Sequence, residues 1–292
     1  MINPKLIKKG VEGVIKRIYP LAENYAPNTA RRFAMKLFST PIKFKNSEGD
    51  LRCLAQANRN FTISADGKSI KVYVWGEDSE PAVLLMHGWS GKAMQLKKFI
   101  SPLREKGFRV VAIDGPAHGD SSGRRTHLLE FATAITEVGK SIGGFKAVIG
   151  HSMGGTGTLL SIKYGLRPDV VVTVGAPSVG EWIFDAFAKK INATEVTGKY
   201  LKDQVRSKFG VDLEEVMPLA FSDLLDSTLS GMLVVHDRKD KEAVFRHAEC
   251  LVDAVQKSEL LDTKGLGHAR ILKNEGVVKK IVEFVAEKSK LG

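Results

Sequence analysis

The stretch Phe145-Lys146-Ala147-Val148-Ile149-Gly150-His151-Ser152-Met153-Gly154-Gly155-Thr156 carries more information than any other in this chain. Ala147 to Ile149 is a short apolar run, and from Thr156 to Tyr164 the apolar residues recur at helical spacing. Between them lies a G-x-S-x-G pentapeptide, which recurs by chance often enough that its setting must carry the reading. Here it turns a strand into a helix. That is the setting in which a serine is held on a tight, strained turn with its hydroxyl exposed. Side chains at Gly150 and Gly154 would collide in such a turn. The hydroxyl sits at a helix N-terminus, where amide donors favour developing negative charge, so Ser152 is the candidate nucleophile.

Working outward, short apolar runs at 61–64, 69–75, 82–86, 108–114, 145–150, 170–174, 232–236 and 259–261 read as strands, the first two as a hairpin across Asp66-Gly67. Helical patterning separates most of the rest, over 93–106, 127–142, 153–165 and 241–256, with 274–289 closing the chain. This alternation predicts an α/β fold, a mostly parallel sheet with helices on both faces. Between Val174 and Met232 the rhythm breaks into nearly sixty residues of helical pattern. An insertion at the carboxyl end of a strand is where a lid over a binding crevice sits. The expected organisation is a basic helical arm over 1–45, a core over 46–178 and 231–292, and a helical cap over 179–230.

A serine hydroxyl is a weak nucleophile unless a base takes its proton, and an acid must hold the base. The histidines after Ser152 are His236, His247 and His268. His236 ends an apolar strand and His247 falls within a predicted helix. His268 lies in Thr263-Lys264-Gly265-Leu266-Gly267-His268, a glycine-rich loop between the last strand and the last helix, and is the candidate base. The loop after the 232–236 strand offers two acids, Asp240 as the favoured partner and Asp237 as the alternative. An oxyanion also needs donors. The Met153 N–H is one, and Gly88 in His87-Gly88-Trp89-Ser90-Gly91 permits a turn that aims the Trp89 N–H inward as the second. Trp89, His151 and Trp182 are the candidate substrate-binding side chains.

Composition excludes several classes. The chain has 292 residues, 43% of them hydrophobic and 26% charged, which is globular rather than disordered, collagen-like or rod-like. No apolar run approaches the roughly 18 residues of a spanning helix, and no apolar stretch follows the N-terminal lysines as in a secretory signal. Cys53 and Cys250 stand far apart without partners at metal spacing, so no metal or cofactor is expected, and a reduced cytoplasmic setting is. The net charge of +11 is concentrated: residues 1–45 hold ten Lys and Arg against Glu12 and Glu23. A basic extension on a near-neutral body, without zinc-finger spacing or an aromatic RNA-binding signature, points away from nucleic acid. Ile7, Val11, Val14, Ile15 and Ile18, then Phe33, Ala34, Leu37 and Phe38, make it two amphipathic helices. Such an arm packs on the body; the other reading rests its basic face on anionic lipid.

Together these residues resemble the α/β-hydrolase superfamily over roughly residues 60–290. The resemblance is carried by His87-Gly88-Trp89, Asp114-Gly115-Pro116-Ala117-His118-Gly119-Asp120-Ser121, Gly150-His151-Ser152-Met153-Gly154-Gly155, His236-Asp237-Arg238-Lys239-Asp240 and Gly267-His268. It implies eight strands with the second antiparallel, and a helical cap after the sixth. It also implies Ser152, Asp240 and His268 as nucleophile, acid and base, with Trp89 and Met153 as oxyanion donors. The single glycine before Trp89 is similar to the esterase form of that loop. Residues 265–272, with Arg270, and the N-terminal arm resemble a bacterial subgroup of hydrolases.

The expected activity is cofactor-free cleavage of a small-molecule carboxylic ester or thioester. The same machinery serves amide, lactone and carbon–carbon bond hydrolysis and acyl transfer, so these remain alternatives. A non-catalytic binding or membrane-surface protein on this fold is the reading from another class.

Overall fold

The computed structural model describes residues 4–210 and 212–289. Eight strands form one sheet: β1 (Arg59–Ala65), β2 (Lys68–Trp75), β3 (Ala82–Met86), β4 (Arg109–Asp114), β5 (Ala147–His151), β6 (Val170–Val174), β7 (Gly231–Asp237) and β8 (Ser258–Thr263). Their order is β1-β2-β4-β3-β5-β6-β7-β8. β2 runs antiparallel to both its neighbours, and every other pairing is parallel. This is the expected α/β fold.

Strands buried on both faces explain why the runs read as continuously apolar rather than alternating. Successive residues of one strand still feed opposite layers. Val83, Leu85, Ile149, Val172 and Val235 pack with Phe99, Leu103, Ile281 and Val285 on one side. Leu84, Met86, Val148 and Val111 pack with Phe131 and Ile135 on the other. β8 is an edge strand with a half-exposed pattern, which is why only its apolar centre stood out in the sequence.

The helices in chain order are α1 (Pro4–Tyr25), α2 (Pro27–Ser39), α3 (Glu48–Leu54), α4 (Ile100–Glu105), α5 (Leu128–Ile142), α6 (Met153–Lys163), α7 (Gly180–Ile191), α8 (Glu195–Phe209), α9 (Leu213–Val216), α10 (Ser222–Thr228), α11 (Arg246–Ala254), α12 (Gly267–Arg270) and α13 (Glu275–Lys288). Three boundaries depart from expectation for local reasons. The helix expected over 93–106 opens as a 3-10 segment, Ala93–Phe99, with Leu96 out of helical geometry at φ −101°, before α4 begins. The Ala93 N–H is held by the Asp114 carboxylate at 2.7 Å. The helix expected over 241–256 starts only at Arg246, because Asp240 captures the amides of Glu242 and Ala243 in a turn. His268, expected in a loop, lies in the single turn of α12.

Residues 176–230 hold α7 to α10 and a 3-10 turn at Pro218–Phe221. The N-terminal helices pack on these helices rather than on the sheet. Tyr19, Ala30 and Ala34 are buried with Phe184, Ile191 and Leu201, and the Phe38 ring lies 5.4 Å from Phe184 and 5.0 Å from Phe187. The contact is also polar. Buried Glu23 accepts from the Thr194 amide at 2.9 Å, the Thr194 hydroxyl at 2.7 Å and the Thr197 hydroxyl at 2.5 Å. Burial alone would raise the Glu23 pKa, but these donors and nearby Arg31 bring it below the ordinary carboxylate value. Ile7 and Val11 of the amphipathic pattern, with Lys5, Lys8 and Lys9, have side chains outside the described residues.

Glu23→Ala strands the amide and hydroxyl of Thr194, while the Thr197 hydroxyl keeps Tyr19 as a partner at 3.0 Å, and is expected to destabilise the protein by about 1–3 kcal/mol. Urea unfolding checks it: an unchanged midpoint would show that the junction carries no stability.

Candidate active site

Ser152 stands between β5 and α6 with φ 52° and ψ −127°, a strained conformation for a residue with a side chain. Close packing leaves no alternative. A Cβ at Gly154 would lie 2.2 Å from the His87 carbonyl oxygen, and one at Gly150 would lie 2.6 Å from Gly155 Cα. The Ser152 amide is anchored to the Val174 carbonyl at 2.8 Å.

The loop after β3 lies directly against this turn, for a Cβ at Gly88 would sit 2.8 Å from Ser152 Cβ. Its shape is fixed by several bonds. The Gly88 N–H donates to Gln95 Oε1 at 2.9 Å, and the Ser90 N–H, at a residue with φ 54°, donates to His118 Nε2 at 2.9 Å. The Gly115 N–H donates to His87 Nε2 at 2.8 Å, while His87 Nδ1–H donates to the Gly88 carbonyl at 2.7 Å. Among the described residues the Trp89 N–H meets no protein acceptor. The Met153 N–H is the first of α6, and first-turn amides have no acceptor within their own helix. Both amides therefore belong to the same corner of the molecule as the Ser152 hydroxyl.

Asp240 and His268 meet. His268 Nδ1 donates to Asp240 Oδ2 at 2.6 Å, and the Asp240 side chain is only 1% exposed. Its other oxygen accepts the amides of Glu242 at 2.8 Å and Ala243 at 3.1 Å. Burial by itself would raise its pKa, but the His268 bond and these two amides more than offset that, so the carboxylate stays ionised. This bond assigns the proton to Nδ1 and leaves a lone pair on Nε2. Both groups lie beside β6: a Cβ at Gly175 would stand 3.2 Å from His268 Nδ1 and 3.4 Å from Asp240 Oδ2. Among the described residues no hydrogen bond joins the Ser152 hydroxyl to His268; catalytic hydrogen bonds of this kind often tighten only in the complex with substrate.

Asp237, the alternative acid, does different work. It accepts from the Thr263 hydroxyl at 2.7 Å, and from the amides of Leu266 at 2.8 Å, Lys239 at 2.9 Å and Gly265 at 3.2 Å. Those donors outweigh its burial and bring its pKa down to about 2. Arg270 closes the same segment from the other side, donating to the carbonyls of Leu266 at 2.9 Å and Gly265 at 2.6 Å. Asp237 thus ties down the segment that leads into α12, which carries His268.

The other two candidate substrate contacts, His151 and Trp182, have these surroundings. His151 is 2% exposed, its ring lies 4.6 Å from that of His268, and its Nε2–H donates to the His268 carbonyl at 2.9 Å. It faces the interior and positions His268. Trp182 lies against buried His247, ring centroids 4.9 Å apart, and among the described residues no hydrogen bond or ring contact ties it to Ser152, Trp89 or His268. His247 Nδ1 in turn accepts the Ser178 amide at 3.1 Å. Sequence reasoning missed Gln95 and His118, the groups that shape the loop around Trp89. The Asp114–Ser121 motif was quoted whole, but no pattern in it singled out His118. Among the described residues no cluster of His, Cys, Asp or Glu is suited to a metal.

Burial pushes the imidazole pKa values of His87 and His247 down to about 4, and those of His118 and His151 down to about 3. Unfolded histidines titrate near 6.5, so below that pH the unfolded chain binds protons that the folded chain refuses, and stability falls. The melting temperature should therefore drop as pH is lowered from about 6.5 to 5, above the carboxylate range. A flat profile across that window would contradict the neutral, buried assignment.

A model of the alpha/beta hydrolase family matches residues 83–280. A serine hydrolase-like protein of Danio rerio is 29% identical over 126 residues, 41% of this chain and 38% of that protein. A monoacylglycerol lipase of Mycolicibacterium smegmatis is 30% identical over 112 residues, 35% of this chain and 39% of that protein. The matched segments thus span well under half the length of these curated relatives. Among solved structures, the esterase RhEst1 from Rhodococcus sp. ECU1013 superposes with a TM-score of 0.59 at 19% identity, covering 80% of this chain and 99% of that one. With the sheet order, the turn at Ser152 and a family match across two thirds of its length, the chain belongs to the alpha/beta hydrolase family.

Proposed function

We propose that the protein is a serine hydrolase that cleaves a small-molecule carboxylic ester or thioester through an acyl-enzyme on Ser152. The observation that carries this reading is the 2.6 Å bond between His268 Nδ1 and the enclosed, ionised carboxylate of Asp240. An imidazole held in that tautomer is a base with its second nitrogen free. His268 Nε2 takes the proton as Ser152 Oγ attacks the carbonyl carbon, and Asp240 stabilises the imidazolium that forms. The Trp89 and Met153 amides hold the oxyanion. Such donors lower the barrier because they are fixed in place before charge develops.

Collapse of the tetrahedral adduct breaks the bond to the alcohol or thiol, which leaves with the proton from His268. Water then attacks the acyl-Ser152 carbonyl, giving its proton to His268, and the carboxylic acid departs as Ser152 is restored. Residues 179–230 act as the cap over this site, and residues 1–45 as the arm that braces the cap. The name of one partial relative, a monoacylglycerol lipase, supports a carboxylic ester as the bond cleaved.

Turnover of matched p-nitrophenyl ester and thioester substrates tests the assignment. Ser152→Ala is expected to abolish it. Asp240→Asn, which keeps the volume but loses the charge, should lower kcat roughly 10³- to 10⁴-fold. Undiminished turnover by Ser152→Ala would falsify the nucleophile.

A further inference from the structure

We infer that the outer face of α1 is a docking surface for an anionic lipid membrane. Val14, Ile18, Leu21 and Tyr25 are 55%, 57%, 61% and 82% exposed. At 100° per residue they fall within about 60° of arc, one continuous apolar stripe. The face that packs is a different one: Ile15, Tyr19 and Ala22 join Phe184, Ile191 and Leu201 in the core shared with α7 and α8. The helix is therefore apolar on two sides, and internal packing accounts for only one of them. Phe33 on α2, 49% exposed, adds to the apolar surface the arm leaves uncovered.

Charge selects the occupant. The arm is strongly cationic in sequence, and Lys16, Arg17, Arg32 and Lys36 are exposed on its two helices. Its two acids are engaged by the rest of the protein: Glu12 pairs with Lys190 at 3.1 Å, and Glu23 is held by Thr194 and Thr197. The arm as a whole carries a large excess of positive charge, which attracts a negatively charged surface. A second copy of the chain would bring an equally basic arm against this one. Four side chains also cover far less than the roughly 800 Å² per partner of a stable protein interface. By the same geometry Arg17 lies beside the stripe and Lys16 on the opposite face of α1. An apolar stripe bordered by an arginine, on a strongly basic arm and ending in an exposed aromatic ring, matches a helix lying in the plane of an anionic bilayer interface.

Docking there would seat the arm and the helices it braces on the membrane together. Just past α2, the Ile42 N–H donates to Ser90 Oγ at 3.0 Å, and Lys92 Nζ donates to the Lys45 carbonyl at 2.8 Å. The chain that follows the two arm helices is therefore bonded to the loop that carries Trp89.

Co-sedimentation of the full chain with phosphatidylcholine vesicles, with and without phosphatidylglycerol, tests the surface without reference to catalysis. Wild type is expected to pellet with the anionic vesicles, to stay in solution with the zwitterionic ones, and to be released by salt. The double variant Ile18→Glu, Leu21→Glu should partition roughly 10-fold or more weakly. Its circular dichroism should match wild type; if it does not fold, Tyr25→Ser, at the most exposed position, carries the same expectation in a smaller step. Equal pelleting of wild type and variant, or no pelleting of wild type at low salt, would overturn the inference. So would a lipid-free dimer that the substitutions dissolve, which would hand the stripe to a second copy.

Discussion

A carboxylate almost wholly removed from water has to be matched by donors, and the region around Asp240 is arranged around that requirement. One oxygen takes the amides of Glu242 and Ala243, which delays the following helix, and the other takes the His268 ring. The same bond that satisfies the buried charge selects the imidazole tautomer. Electrostatic need and chemical readiness thus meet in a single contact. Its position is secured from outside by Asp237 and Arg270, which grip the 263–270 segment, and from inside by His151, which holds the His268 carbonyl.

A second group of buried polar contacts maintains the other side of the site. His87 and His118, both kept neutral by burial, each donate to one backbone carbonyl and accept from one backbone amide. Neutral imidazoles can do both at once, whereas a protonated ring could only donate. The positive φ values at Ser90 and Ser152 are held by these bonds and by the lack of room at Gly88, Gly150 and Gly154. The strain sits beside the atoms proposed to react, and the surrounding contacts determine it from both sides.

Much of the fold was legible because β3, β5, β6 and β7 are buried on both faces and so read as apolar runs in sequence. β8 read too short because its outer residues are polar at an exposed edge. Chain order and loop context were enough to single out Ser152, Asp240 and His268 as candidates, and the structure places Asp240 against His268. The supporting contacts were not legible: Gln95 and His118 act through single bonds to the backbone, and no spacing rule marks such a bond. Sequence shows that His151 adjoins Ser152, but not that its ring is buried and bonded to the His268 carbonyl. Nor could periodicity show which neighbours the basic arm packs against, since an amphipathic stripe reports a buried face without naming its partner.

The arm, the helices of 176–230 and the loop around Trp89 form a continuous physical path, through Glu23 with Thr194 at one end and Ile42 with Ser90 at the other. The account nevertheless stands or falls on the chemistry at Ser152. Its most direct test is a crystal structure of the protein after reaction with a fluorophosphonate. The expected adduct is a phosphonyl group on Ser152 Oγ, with its oxygen about 2.7–3.1 Å from the Trp89 and Met153 amide nitrogens, and with His268 still bonded to Asp240. An unmodified Ser152, or an adduct whose oxygen turns away from both amides, would contradict it.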